Sequence, residues 1–214
     1  MEKTVMKKTA MLILHDNLGS GNAYKVRLML CHLDQPFQRI EYDVTRGETR
    51  GADFMARSPD GRVPVLEFPD GRHLPQSNAI LFYLARGTDY WPREAFAQAQ
   101  ALQWMFFEQY SHEPNIAVAR YWLHFLDPED LDRDQLAEKQ RKGYQALDVM
   151  EGRLAESDFL VDAGYSIADI ALYAYTHVAG EAGMTLDDYP GIRRWLDRVA
   201  EQPEHILITQ EDFD

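Results

Sequence analysis

One cysteine, Cys31, in 214 residues leaves no partner for an intrachain disulfide and no CxxC pair for redox chemistry. Positive charge is also scarce: 22 Lys and Arg stand against 35 Asp and Glu, a formal net charge of -13. That balance argues against a general binder of nucleic acid or of anionic membrane surfaces, which needs basic patches against phosphate. No apolar run approaches the ~18 residues of a membrane span. The opening MEKTVMKKTA carries lysines, but the apolar residues that follow are broken at once by His15-Asp16-Asn17, so no signal-like core is expected. The seven histidines show no metal-ligand spacing, and there is no repeat or low-complexity segment. What is present is ordinary for a soluble globular protein, 45% apolar and 27% charged residues. A cytoplasmic protein with no nucleic-acid, membrane or metal partner is the expectation.

The stretch LHDNLGSGNAYKVRLMLCHL, Leu14 to Leu33, ends an apolar strand at Asp16-Asn17, turns through Gly19-Ser20-Gly21-Asn22 and enters an amphipathic pattern. Val26, Met29, Leu30 and Leu33 recur at helical spacing, predicting a helix that buries one face. The turn lacks the later glycines of a GxGxxG and the lysine-serine of a P-loop, which sets a phosphate cradle aside. Pro36 stops the helix, Phe37 to Val44 alternates like a second strand, and Thr45 to Ser58 reads as a loop with a short helix. GRVPVLEF and His73-Leu74 supply two more strands around a PDGR turn. Ser77 then offers a cap for a helix with Ile80, Tyr83 and Leu84 on one face. From Glu94 onward there are only helical patterns, broken at Pro114, Pro128, Gly164 and Pro190. The expected organisation is an extension over 1–10, an α/β domain over 11–87, a linker over 88–93, an all-helical domain over 94–202 and a tail over 203–214.

Pro64 lies between Val63 and Val65, where a central strand would lose a ladder hydrogen bond. Two readings remain open: a trans proline on an edge strand, or a cis Val63-Pro64 peptide that turns the Val63 backbone N–H and C=O toward an extended ligand. Gln76-Ser77 opens a helix, and a helix N-terminus suits a carboxylate. Ser77 either caps that helix or donates to the carboxylate, and Gln76 can bond an amine or amide. In the helical half, GYSIADIALYAY places Ser166 three residues before Asp169, the spacing of a capping box, with Tyr165 and Ile170 at the positions of a hydrophobic staple.

Together these motifs resemble a cytosolic glutathione transferase from Met11 to about Gln202, of a bacterial serine-type, theta- or zeta-like kind. The resemblance implies a thioredoxin-like α/β domain joined to an all-α domain, glutathione as co-substrate and a homodimer. It implies that the Val63-Pro64 segment pairs with the cysteinyl backbone of glutathione and that Gln76-Ser77 holds its γ-glutamyl carboxylate. It makes the capping box a folding signal, so Asp169 is not a catalytic acid. For the glycine carboxylate it points to Thr49 with Arg50 or Arg62, which the sequence does not separate; an arginine fork suits a carboxylate. SGNAYKVR also resembles the zeta-like S-x-C-x-W-x-V-R pattern, but Asn22 stands at the cysteine. That departure argues against a maleylacetoacetate isomerase and against the beta-type cysteine enzymes.

The implied chemistry needs a donor beside the sulfur to favour thiolate over thiol. Ser20 ranks first and Asn22 second, with Asn22 also able to cap the first helix; Tyr24 faces the pocket or a neighbouring side chain. Cys31 is expected among core leucines. In FFEQYSHEPNIAVAR, Phe106 to Arg120, an aromatic stripe serves either helix packing or a pocket for a small apolar electrophile, walled by Met105, Tyr110 and Tyr121. His112 and Glu113 are expected near the γ-glutamyl group of a neighbouring subunit. The leading function is activation of glutathione for attack on an electrophile. A glutathione-dependent peroxidase or disulfide reductase using Asn22 is a close variant. A non-enzymatic regulatory module of the stringent-starvation type, binding other proteins, is the alternative from another class.

Overall fold

The computed structural model describes residues 11–213; the expected 1–10 extension and the last residue of the tail lie outside the described residues. The first part is a four-stranded sheet in the order β2-β1-β3-β4, with β1 at Leu12–Asp16, β2 at Phe37–Glu41, β3 at Val65–Glu67 and β4 at His73–Pro75. β1 and β2 run parallel and β3 and β4 are antiparallel to their neighbours. The parallel pair needs a crossover, which α1 (Gly21–His32) supplies. α2 (Ala52–Met55) and α3 (Ser77–Ala85) complete the domain. Leu14, Val26, Leu30, Leu66 and Ile80 form the core between the sheet and its helices.

α1 departs from the expected one-sided helix. Its run from Ala23 to Leu30 is buried without interruption, including Lys25 and Arg27 at 0% exposure. The sheet takes one side and the helical domain takes the other, so both charges must find partners inside. Arg27 Nη1 donates to both Asp16 oxygens at 2.7 and 2.8 Å, and Nη2 donates to Leu18 O and Ile208 O. The C-terminal segment is thereby tied to the strand-to-helix turn. Tyr24 is also part of this seam, not of a pocket: its hydroxyl donates to Ile206 O at 2.7 Å.

The second part comprises α4 (Ala95–Phe107), a π-helical turn (Glu108–His112), α5 (Glu113–Phe125), α6 (Arg133–Leu154), α7 (Ile167–Thr176) and α8 (Pro190–Ala200). Pro114 was expected to break the chain's helical course. It does not, because the wider π turn takes up the change before it and Pro114 falls in the first turn of α5, where a missing N–H costs little. The capping box is formed: Ser166 Oγ accepts from Ala168 N–H, and Asp169 Oδ2 accepts from Ser166 N–H at 2.9 Å. Asp169 Oδ1 also accepts from Leu160 N–H and Trp195 Nε1, which makes this carboxylate a buried structural hub. Among the described residues no helix is long and apolar enough to cross a membrane.

Candidate functional site

The turn after β1 delivers Ser20 and Asn22 to the seam between the two domains. Ser20, not Asn22, caps α1: its Oγ accepts from Ala23 N–H at 3.2 Å. Asn22 lies two residues further, in the first turn of the helix, where its backbone N–H donates to the Tyr175 hydroxyl of α7. Its amide is oriented by its partners. Oδ1 accepts from Lys25 Nζ at 2.8 Å and from Ser77 Oγ at 3.1 Å, so Nδ2 must face the other way, where it donates to Glu113 Oε1 at 3.0 Å. Nδ2 carries a second hydrogen with no protein partner among the described residues.

Lys25 holds this arrangement. Its Nζ, fully buried, pairs with Glu108 Oε1 of the π turn at 2.8 Å, and Asn78 Nδ2 of α3 donates to the other Glu108 oxygen at 3.0 Å. A buried ammonium and carboxylate are tolerated only with such additional hydrogen bonds. Sequence reading missed Lys25, Asn78 and Glu108; their only signal is that Lys25 follows Asn22 at i+3 on one helix face.

Around this network lie two adjoining cavities. The narrower, of about 50 Å³, is lined by Asp60, Pro64, Gln76, Ser77 and Gln109 among others. The Val63-Pro64 peptide is cis, and among the described residues no protein group bonds the Val63 N–H or C=O. Gln76 precedes α3 with φ 75°, ψ 111°, a left-handed conformation unusual for a side-chain-bearing residue; its Nε2 donates to Asp60 Oδ2 at 3.1 Å. Ser77 is therefore the first helical residue and not the expected cap, and its hydroxyl is given to Asn22. With Gln76 and Ser77 in its wall, this cavity meets the N-terminus of α3, where an anion is favoured.

The wider cavity, of about 440 Å³, is half apolar, with Val44, Ala117, Val118, Tyr121 and Phe125 on its walls. Ser20, Thr49, Arg50 and Arg120 supply polar edges. Arg50 is committed to Asp60 O at 2.9 Å; Gly61 makes this possible, because its φ is +64° and a Cβ there would meet Arg50 Nη1 at 2.6 Å. Four residues line both cavities: Asn22, Arg62, Val63 and Glu113. They mark the junction through which a ligand spanning the two must pass.

Several expected positions fall elsewhere. Met105 is packed in the core at 4% exposure, and Tyr110 is 88% exposed beside a separate surface groove with Lys139 and Lys142. Neither walls the cavity with Tyr121: Met105 faces the core from α4, and Tyr110 lies inside the π turn, which points it outward. His112 reaches no ligand: it is fully buried, with Nε2 on Thr176 Oγ1 at 2.9 Å, and burial holds its pKa down at about 3. Glu113 lines the cavities of its own chain. Burial pushes the Glu113 carboxyl up, Glu108 adds to the rise, and Lys25, Asn22 and Arg62 oppose it. Cys31 packs against the core with its thiol pushed up to about 11 by burial. Folding also brings together His15, Glu67 and His73, which have no ligand spacing in sequence. Glu67 Oε2 bonds both rings, at 2.9 and 3.2 Å, with Arg57 Nε 3.8 Å away, so this cluster is already satisfied as an internal network.

The family model described as the N-terminal domain of glutathione S-transferase matches residues 10–86, and that for the C-terminal domain matches 110–203. A crystal structure of a glutathione S-transferase from Pseudomonas fluorescens is 46% identical, with a TM-score of 0.90, and the match covers 94% of this chain and 100% of that one. The disulfide-bond oxidoreductase YfcG of Escherichia coli is 28% identical over 192 residues, 85% of this chain and 87% of YfcG. Ure2p in complex with glutathione shares the fold at 23% identity, TM-score 0.82, covering 91% of this chain and 96% of the other. With both domain models matched in order and a solved relative so similar along its whole length, the chain belongs to the glutathione S-transferase family.

Proposed function

We propose that the paired cavities bind glutathione and that the protein activates its thiol, chiefly through Asn22, for attack on a small apolar electrophile. The observation that carries this reading is the junction. A tripeptide with its γ-glutamyl end in the narrow cavity at Gln76 and Ser77 and its cysteinyl backbone on Val63 presents its central side chain at the junction, toward the apolar cavity beyond. Asn22 lies at that point with an unused amide hydrogen, whereas Ser20 lines only the wider cavity. A fixed N–H donor favours a thiolate over a thiol. Thr49 and Arg62 remain for the glycine carboxylate, and Arg50 is the weaker candidate because Asp60 holds it.

Glutathione must raise the thermal stability if it binds the folded chain, by mass action; no shift at millimolar glutathione sinks the reading. Asn22→Ala is expected to lower conjugation of chlorodinitrobenzene by about 100-fold, the scale of losing one fixed donor to a reacting anion. Ser20→Ala costs less than about tenfold and mainly the ~1 kcal/mol of a cap. A larger loss in Ser20→Ala restores serine as the donor. The likeness to a disulfide-bond oxidoreductase, together with a junction built on Asn22 and no cysteine, favours a second reading as a glutathione-dependent disulfide reductase. Turnover of a small disulfide exceeding that of the electrophile decides for it. The exposed aromatics Phe82, Phe96 and Phe106 are assigned to contact with a second copy in a homodimer.

A further inference from the structure

We propose that Glu113 is the base that receives the thiol proton of glutathione. The assignment rests on the glutathione reading above and adds to it a group that removes the proton. Of the four residues that line the cavity junction, Asn22 and Arg62 are donors and Val63 is apolar; Glu113 alone can accept a proton. Asn22 Nδ2 donates one hydrogen to Glu113 Oε1 at 3.0 Å, and its other hydrogen is the one assigned to the sulfur. One nitrogen therefore holds the carboxylate and the thiol on its two diverging N–H bonds, roughly 5–6 Å apart, a span that one bridging water closes. Lys25 and Ser77, by holding Oδ1, prevent the amide from reversing this arrangement.

The surroundings suit proton acceptance. Glu113 is faced by Lys25 of α1, by Arg62 before β3, by Glu108 of the π turn and by Asn22. Tyr175 of α7 also senses it, and burial keeps that phenol protonated. Burial and the nearby Glu108 carboxylate raise the proton affinity of Glu113 above that of an exposed glutamate, toward the range where a general base works near neutral pH. In the step, the S–H bond breaks heterolytically and its electron pair stays on sulfur. One bridging water takes this proton and gives one of its own to form an O–H bond on the Glu113 carboxylate, Asn22 continues to donate to both ends, and nothing is oxidised or reduced. The proton later leaves to solvent or to the leaving group.

The proposal predicts thiolate without proton release. Glutathione binding is followed by calorimetry in buffers of different ionisation enthalpy, and thiolate by its ultraviolet absorbance, both near neutral pH; S-methylglutathione provides the baseline for all other proton linkages. In the wild-type chain the thiolate band is expected to appear with less than half a proton released per thiolate. Glu113→Gln, isosteric and checked for its thermal transition, is expected to release one proton for each thiolate formed. One proton per thiolate already in the wild-type chain overturns the proposal, whether or not the variant folds, and so does binding without thiolate. Equal loss of affinity for glutathione and S-methylglutathione in Glu113→Gln, with unchanged proton counts, also overturns it and makes Glu113 a ligand of the γ-glutamyl amine. Absence of any binding heat removes the glutathione reading and the base together, whereas the preceding outcomes remove the base alone.

Discussion

At the scale of single residues, the site depends on a side chain that touches no expected ligand atom. Lys25 orients the Asn22 amide through Oδ1 and neutralises Glu108, both at 2.8 Å in a fully buried setting. Removing one partner of a buried ion pair costs far more than the pair contributes, about 3–5 kcal/mol, because the other charge stays behind unpaired. Lys25→Met is therefore expected to destabilise the chain by about that amount in urea titration. The double variant Lys25→Met/Glu108→Leu is expected to recover a large part of it. If the single variant costs under about 1 kcal/mol, the ammonium is not the anchor described. A lysine in an otherwise apolar helix reads as a solvent-facing residue in sequence, which is why this one was not legible there: its burial follows from a second domain docking on a helix whose first face is already covered by the sheet.

Elements decide what the residues can reach. α1 approaches α7 so closely that a Cβ on Gly21 would lie 2.6 Å from the Tyr175 ring and 3.0 Å from Ala174 O. The ring is itself held, since its hydroxyl accepts from Asn22 N–H. Gly21→Ala should force the two helices apart and cost about 1–3 kcal/mol, the range for overpacking, with a parallel loss of glutathione affinity. An unchanged unfolding midpoint would show that the seam is looser than its geometry. The local elements were readable because their signals are short-range: the strand-to-helix turn around Ser20, the proline at Val63-Pro64 and the Ser166–Asp169 box. The facing of Tyr110 relative to Tyr121, across the π turn, was not. A π turn adds one residue to the helical course, and at 3.6 residues per turn that rotates everything beyond it by roughly 100°. Periodicity counted straight through Glu108–His112 therefore assigns the wrong wall.

On the scale of the whole molecule, three buried neutral histidines, one bridging the two domains and two inside the helical one, set how the fold responds to acid. His32 at the end of α1 lies between Pro203 O and the Tyr165 hydroxyl. His112 ties the π turn to α7 through Thr176, and His177 closes α7 against Tyr173 O. Burial lowers their pKa values to about 4, about 3 and about 4 from the ordinary 6.5. Between those values the unfolded chain binds protons that the folded chain refuses, so stability is lost as pH falls below about 6.5. Asp169, raised to about 6 by burial, takes up a proton on folding over the same window and offsets part of the loss. The net slope is therefore a poor test, and the difference between variants is a clean one. Each histidine contributes about 1.4 kcal/mol per pH unit in the middle of its window. His112→Gln removes one such contribution whatever it costs at neutral pH. Urea denaturation of both proteins between about pH 6 and pH 4 should show the variant's stability falling less steeply by about 1.4 kcal/mol per unit. Parallel slopes would mean that His112 accepts a proton without unfolding, and that the contact between the π turn and α7 opens to water in the native state.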